Sequence, residues 1–283
     1  MEVVRTIEAL RAAVAAAKSE GKTVGLVPTM GALHQGHLSL IERSKEMDSF
    51  TVVSIFVNPT QFGPAEDFTR YPRPFEVDAE KCRKAGVDLI FAPLVEEVYP
   101  EGFATYVEVG GVTEMLEGAY RPGHFRGVAT VVLKLFTAVE PKRAYFGMKD
   151  YQQLKVIQKM VRDLNLNIEI VPVPTFREPD GLAMSSRNAY LNPEERQAAL
   201  CLYRALNIAR EAVDAGERNA ETVRQKALDV IQSEPLAKPD YVAVVDPETL
   251  MPIERIDGPV LIALAVRIGN TRLIDNMLIG GQS

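Results

Sequence analysis

The run Pro28-Thr29-Met30-Gly31-Ala32-Leu33-His34-Gln35-Gly36-His37 combines residue types that suit phosphate chemistry. It follows the apolar stretch 24–27 and leads into a helical pattern from Leu38, so a buried strand, a glycine-bearing turn and two histidines meet at a helix start. Free N–H groups and the helix dipole attract anions at such a place. Gly31 and Gly36 allow the backbone to follow a phosphate, and His34 and His37 fall roughly on one helical face. Both would serve as neutral or positive hydrogen-bond donors in phosphoryl or nucleotidyl transfer. The plainer alternative is a tight turn with two surface histidines. A zinc pair is weaker, because the chain has only 3 His, no clustered Cys and an i,i+3 spacing without a clear third ligand. The third histidine, His124, sits in the Gly/Pro-rich loop 121–127, and no histidine is expected in a core.

Three further segments carry polar groups at loop positions. Asn58-Pro59-Thr60-Gln61 ends an apolar strand, and its uncharged amides suit a hydroxy acid, although a proline-driven turn explains the segment equally well. Gly147-Met148-Lys149-Asp150 places an ammonium at another strand end, where it can neutralise phosphate charge. The segment 180–188 gathers glycine, paired hydroxyls and Arg187 with no P-loop order, and a capping or linker role is its simpler reading.

The elements that must position these groups alternate through the first two thirds of the chain. Helical periodicity covers 7–19, with Thr6 as N-cap, then 38–47, 75–85, 128–139 and 152–164. Short apolar runs at 24–27, 51–57, 88–91, 144–146 and 168–173 read as strands buried on both faces. This rhythm predicts an α/β fold: a Rossmann-like, mostly parallel sheet with helices on both faces. After Arg187 the order changes to helices at 193–215 and 220–233, then strands at 241–245, 260–266 and 271–276. A smaller α+β C-terminal domain is expected, with the boundary near Phe176, giving domains 1–176 and 177–283.

The 283 residues suffice for a large core, and 47% hydrophobic with 25% charged residues is ordinary for a soluble globular chain. A net charge of −6 argues against a general nucleic-acid binder. Cys82 and Cys201 read as unpaired thiols in a reducing compartment. The first residues lack a signal-peptide core and no stretch approaches membrane-spanning length, so the expected location is the cytoplasm.

Taken together, four blocks resemble the pantothenate synthetase (pantoate–β-alanine ligase) family. They are Val27 through His37, Phe56-Val57-Asn58-Pro59-Thr60-Gln61-Phe62, Phe146-Gly147-Met148-Lys149-Asp150-Tyr151-Gln152-Gln153, and Met184-Ser185-Ser186-Arg187-Asn188. A single His-x-Gly-His is shared with many nucleotidylyltransferases and class I aminoacyl-tRNA synthetases; four blocks in this order are far more specific. The resemblance spans nearly the whole chain and implies a Rossmann-like domain, a C-terminal lid, Mg²⁺-ATP as cosubstrate, no tightly bound organic cofactor and a homodimer. It implies ATP contacts at Met30, Gly31, Ala32, Leu33, His34, Gln35, Gly36, His37, Gly147, Met148, Lys149, Asp150, Phe176, Met184, Ser185, Ser186 and Arg187. Phe176 stands where the family would place a small β-branched residue. Pantoate would lie against Gln61 and Gln153, with β-alanine entering near Gln61, and the metal's protein ligands are not specified.

The implied reaction has two steps. Pantoate carboxylate attacks the α-phosphate of ATP, giving pantoyl adenylate and pyrophosphate; the amine of β-alanine then displaces AMP. His37 would be the catalytic histidine, with His34, Lys149, Arg187 and Mg²⁺ helping to neutralise two anionic reactants. A closing lid would protect the adenylate from water. Two alternatives remain at this point: a nucleotidylyltransferase that stops after the first transfer, and a non-catalytic nucleotide sensor.

Overall fold

The computed structural model describes residues 1–64 and 66–281. Its first part runs β1 (Glu2–Val4), α1 (Ile7–Ser19), β2 (Val24–Thr29), α2 (Gln35–Met47), β3 (Phe50–Ile55), α3 (Phe75–Lys84), β4 (Leu89–Phe91), α4 (Val95–Val98), α5 (Glu117–Tyr120), α6 (His124–Val139), β5 (Arg143–Gly147), α7 (Tyr151–Asp163) and β6 (Glu169–Val173). These six strands form one parallel sheet in the order β1-β4-β3-β2-β5-β6. Sequence order therefore runs outward in one direction from β2 through β4 and in the other from β5 to β6. The reversal between β2 and β5 is where open α/β sheets leave a crevice at the carboxyl ends of their strands.

Alternate residues of each strand enter separate cores. Leu26, Val52, Leu89 and Ala144 join one apolar cluster, while their neighbours Val27, Val53, Ile90 and Tyr145 join another across the sheet. The apolar runs are thus strands with no wet face, as their composition requires. Helix α6 is buried at 12 of its 16 residues. Gly127 lets it approach the turn after β3: a Cβ there would meet the Thr60 carbonyl oxygen at 2.3 Å.

The second part comprises α8 (Pro193–Ala198), α9 (Leu200–Asp214), α10 (Ala220–Gln232) and an antiparallel sheet of β7 (Ala237–Val245), β8 (Val260–Ile268) and β9 (Thr271–Ile279) in sequential order. It has its own core, including Leu202, Leu206, Val223, Ile262 and Leu264. A smaller cluster of Val112, Phe125, Tyr151, Val156, Val245, Leu250 and Leu261 joins it to the first part.

Several boundaries differ from the sequence reading. Strand β1 was not anticipated; at three residues on the sheet edge it is too short to show a period. The expected helix 193–215 is interrupted at Ala199, where the Leu202 N–H bonds back to the Ala199 carbonyl at 3.2 Å. Helix α2 begins at Gln35 rather than Leu38 because the His34 carbonyl already accepts from the His37 and Leu38 N–H groups, at 2.8 and 3.1 Å. Both cysteines are free and buried, and burial pushes each thiol up to about 12. No helix among the described residues is long and apolar enough to cross a membrane.

Candidate active site at the switch point

The turn after β2 is held from below. Ala32 adopts φ 50°, and the carboxylate of Asp78 on α3 accepts from the Ala32 and Leu33 N–H groups at 2.7 and 2.8 Å. Lys81 binds the Leu33 carbonyl. Charge-assisted bonds to consecutive amides fix this strained turn and set the start of α2. His34 becomes the N-cap residue and His37 the third residue of the helix, and the first-turn amides of Gln35 and Gly36 are left without intrahelical partners.

The two imidazoles lie against each other, tilted by 37°, with ring centroids 4.1 Å apart. Gly36 gives the pair room, since a Cβ there would lie 3.0 Å from the His34 ring and press on it. The His34 N–H donates to His37 Nδ1 at 3.3 Å, so that nitrogen accepts and the proton of a neutral His37 belongs on Nε2. Burial, aided by His34, lowers the His37 pKa to about 3; burial and the Lys149 charge lower His34 to about 4. The pair is therefore neutral at physiological pH. Of the neutral and positive donor roles expected for the two histidines, these surroundings favour the neutral one.

The opposite wall rises from the end of β3. Asn58, 1% exposed, donates to Gln61 Oε1 at 3.0 Å and to the Gly127 carbonyl at 3.1 Å, while its own oxygen accepts from Tyr99 and Thr60. Both Asn58 amide protons are committed, so this side chain orients Gln61 rather than presenting itself to a ligand. Gln61 Nε2 also donates to Met30 Sδ at 3.2 Å. His124 proves buried, contrary to expectation. Its Nδ1 donates to the Gln61 carbonyl at 2.8 Å and its Nε2 accepts from Arg121 at 3.1 Å, with burial and the Arg121 charge lowering its pKa to about 4.

Beyond β5, Lys149 and Asp150 occupy a short 3-10 turn before α7, and Gln153 lies on the first turn of α7. Burial alone would raise the Asp150 pKa, but Lys149 and Arg187 hold it below the usual carboxylate range. Gln153 forms no side-chain hydrogen bond among the described residues, whereas buried Gln152 is fully used by Glu117 N–H and the Val112 and Met115 carbonyls. Arg187 pairs with Asp67 at 3.0 Å, and Ser186 with Tyr71 at 3.2 Å.

These groups surround a cavity of about 220 Å³, which adjoins a cleft of about 680 Å³ facing the second part. Met30, His34, Gly36, His37, Gln61, Gly147, Lys149, Asp150, Gln153, Phe176, Met184, Ser185, Ser186 and Arg187 line the cavity. Gly31, Ala32, Leu33, Gln35 and Met148 do not. The amides of Ala32 and Leu33 are taken by Asp78, that of Gly31 by Thr29 Oγ1, and Met148 packs against the core. Gln35 opens α2, where its amide has no intrahelical partner. Residues the sequence reading missed include Asp78, Arg121 and Asn276. Asp78 left a signal, a carboxylate on the same face as Phe75, Ala79 and Cys82 of an amphipathic helix. Arg121 opens the Gly/Pro-rich loop 121–127 that also carries His124, whereas Asn276 left no signal.

Fold and site define an α/β protein with a polar crevice, suited to an anionic ligand, at the switch point of a parallel sheet. The chain matches the Pantoate-beta-alanine ligase family over residues 2–278. It is 59% identical over 279 residues to a pantothenate synthetase of Moorella thermoacetica, with 99% of each chain covered. Among solved structures, pantothenate synthetase from Thermus thermophilus superposes with TM-score 0.94 at 52% identity, covering 98% of this chain and 99% of that one. A pantoate-β-alanine ligase from Francisella tularensis, complexed with β-γ ATP and β-alanine, superposes with TM-score 0.81 at 35% identity over 98% and 97%. The chain belongs to the pantoate–β-alanine ligase family.

Proposed function

We propose that this chain joins pantoate to β-alanine with ATP, giving pantothenate, AMP and pyrophosphate through a pantoyl adenylate. One observation carries the reading: two incompletely committed neutral amides, Gln61 and Gln153, line the same cavity as a neutral histidine pair and Lys149. Amides hold the hydroxyls and carboxylate of pantoate without a charge that would trap it. His37 Nε2–H and the helix-start amides of Gln35 and Gly36 donate to phosphate oxygens, while Lys149 supplies the positive charge. In the first step a carboxylate oxygen bonds to the α-phosphorus and the bond to pyrophosphate breaks. In the second, the amine nitrogen bonds to the acyl carbon, AMP leaves, and the amine gives up its proton.

Arg187 would exchange Asp67 for a phosphate, and Met184, Ser185, Ser186 and Phe176 would border the nucleotide. Gly147 would border it from the end of β5. Mg²⁺ would arrive with ATP, taking most of its oxygens from phosphate and water. Asp150, an ionised carboxylate in the cavity, fits the single protein ligand such an ion needs. Bound there, the ion would neutralise phosphate charge. Residues 177–283 would act as the lid, and the resemblance supports a homodimer. The two free, buried cysteines support a cytoplasmic setting.

Incubation with ATP, Mg²⁺, pantoate and β-alanine, followed by mass identification, tests the reading. Pantothenate and AMP should form together and depend on the amine. AMP transfer that ignores β-alanine would instead favour a nucleotidylyltransferase.

A further inference from the structure

Strand β9 sends one side chain back across the cleft. Asn276 is 8% exposed, and its Nδ2 donates to the carbonyls of Met148 at 3.0 Å and Lys149 at 2.7 Å. An amide nitrogen has two protons. Both are spent here on consecutive carbonyls of the turn that carries Lys149.

The amide is itself held in place. Arg177, directly after Phe176, donates to both oxygens of buried Asp275 at 2.7 and 2.9 Å and to the Asn276 carbonyl at 3.2 Å. Asp275 Oδ1 accepts from the Asn276 N–H at 2.8 Å, and the Arg177 guanidinium lies 4.6 Å from the Tyr203 ring centroid. Each partner fixes the next, from the connection between the two parts, through β9, to the Lys149 turn.

We propose that Asn276 is a positioning residue for Lys149, through which the seating of the second part sets where the ammonium stands opposite the histidine pair. The proposal rests on Lys149 acting in the ATP-dependent step. Two adjacent carbonyls need a donor with two protons and no charge of its own to satisfy. A carboxylate of the same shape would accept where it must donate, and would repel both carbonyls. The ammonium would then keep its charge and lose its place, a defect in the transition state more than in ATP affinity.

The test separates the half-reactions. Pantoate-dependent exchange of labelled pyrophosphate into ATP reads the first, and product formation from preformed pantoyl adenylate reads the second. Asn276→Asp should lower the exchange kcat about tenfold, since small misplacements of positioned groups carry losses of this order or larger, with KM for ATP and the second half-reaction nearly unchanged. Asn276→Ala removes the donors without adding charge and should show the same pattern. On a Lys149→Ala background neither substitution should lower exchange further, because there is no ammonium left to misplace.

Multiplication of the two defects, or an equal fall in both half-reactions, would overturn the proposal and leave Asn276 a purely structural contact. So would impairment confined to the Asp variant, which would mark the introduced charge as the cause. Intact exchange in Lys149→Ala alone would instead remove the role of Lys149, and with it the premise.

Discussion

The two walls of the cavity are built by different means. The His34–His37 wall is assembled within one short stretch: a strained turn, a helix start and one carboxylate beneath it. The wall formed by Lys149, Arg187 and the approach to Gln61 depends on pairs drawn from distant parts of the chain. Glu117 receives both Arg272 guanidinium nitrogens at 2.7 Å and the Tyr241 hydroxyl at 3.0 Å, Arg121 holds Glu66, and Arg177 holds Asp275. The first wall is built within the first part of the chain; on the second wall, Arg187 and the Lys149 turn also take partners across the two parts. The neutral histidine pair thus sits on the locally built side, and Lys149 and Arg187 on the side with long-range partners.

The sharpest way to break this contrast is His37→Ala. Loss of one well-placed transition-state donor typically costs about 10²–10³ in rate, and single-turnover adenylate formation should fall by that order in a folded protein. Near-normal adenylation would mean that the locally built wall is only scaffold.

On the other wall, Glu117→Gln leaves Arg272 and Arg121 facing an uncharged amide. Breaking one partner of a buried ion pair costs about 3 kcal/mol or more, so urea unfolding should show a clear loss of stability and the His37-dependent step should suffer less than overall turnover. If stability is unchanged, the ion pairs are not what seats the second part.

Gln61→Ala and Gln153→Ala each remove a polar partner from a dehydrated ligand, at roughly 1–3 kcal/mol. Calorimetric titration should show weakened pantoate binding and nearly unchanged ATP binding in both, with β-alanine attack disturbed in Gln61→Ala. A collapse of ATP affinity with pantoate unaffected would reverse the division of the site.

The smallest expected effect concerns acid. His34, His37 and His124 titrate at about 4, 3 and 4 in the folded protein, below the ordinary histidine value of 6.5. Between those values the unfolded chain binds more protons, so stability should fall as pH drops from about 7 towards 4. His124→Gln keeps one donor for the Gln61 carbonyl and one acceptor for Arg121 while removing a titrating group. Its melting temperature should decline less steeply over that interval, and an unchanged slope would mean that His124 contributes nothing to acid sensitivity.

What was legible in the sequence follows the same division. The His34–His37 segment and the buried strands could be read because strand, turn and helix start are encoded within about ten consecutive residues, with periods that show themselves. The start of α2 was placed three residues late, since the capping geometry of His34 overrides the later apolar pattern. Asn58 has the composition of a ligand contact, yet its partners Tyr99 and Gly127 lie far along the chain and use up its protons. Arg187 could be singled out by type, but not its pairing with Asp67, and nothing near Asn276 announces two carbonyls in another part of the molecule. Long-range pairing has no local period.

The reversal of strand order between β2 and β5 also governs how the molecule can form. Gly25 pairs with Arg143 and Leu26 with Ala144, so the two halves of the crevice are joined by contacts of very large sequence separation. Closing so long a loop must precede any reward from the pairing, which makes such steps slow. During synthesis the segment bearing both histidines leaves the ribosome well before β5 is available, and its apolar strand has to wait without that neighbour. The architecture that creates a ligand crevice therefore also delays its completion, and leaves the half-built sheet open to wrong partners until β5 arrives.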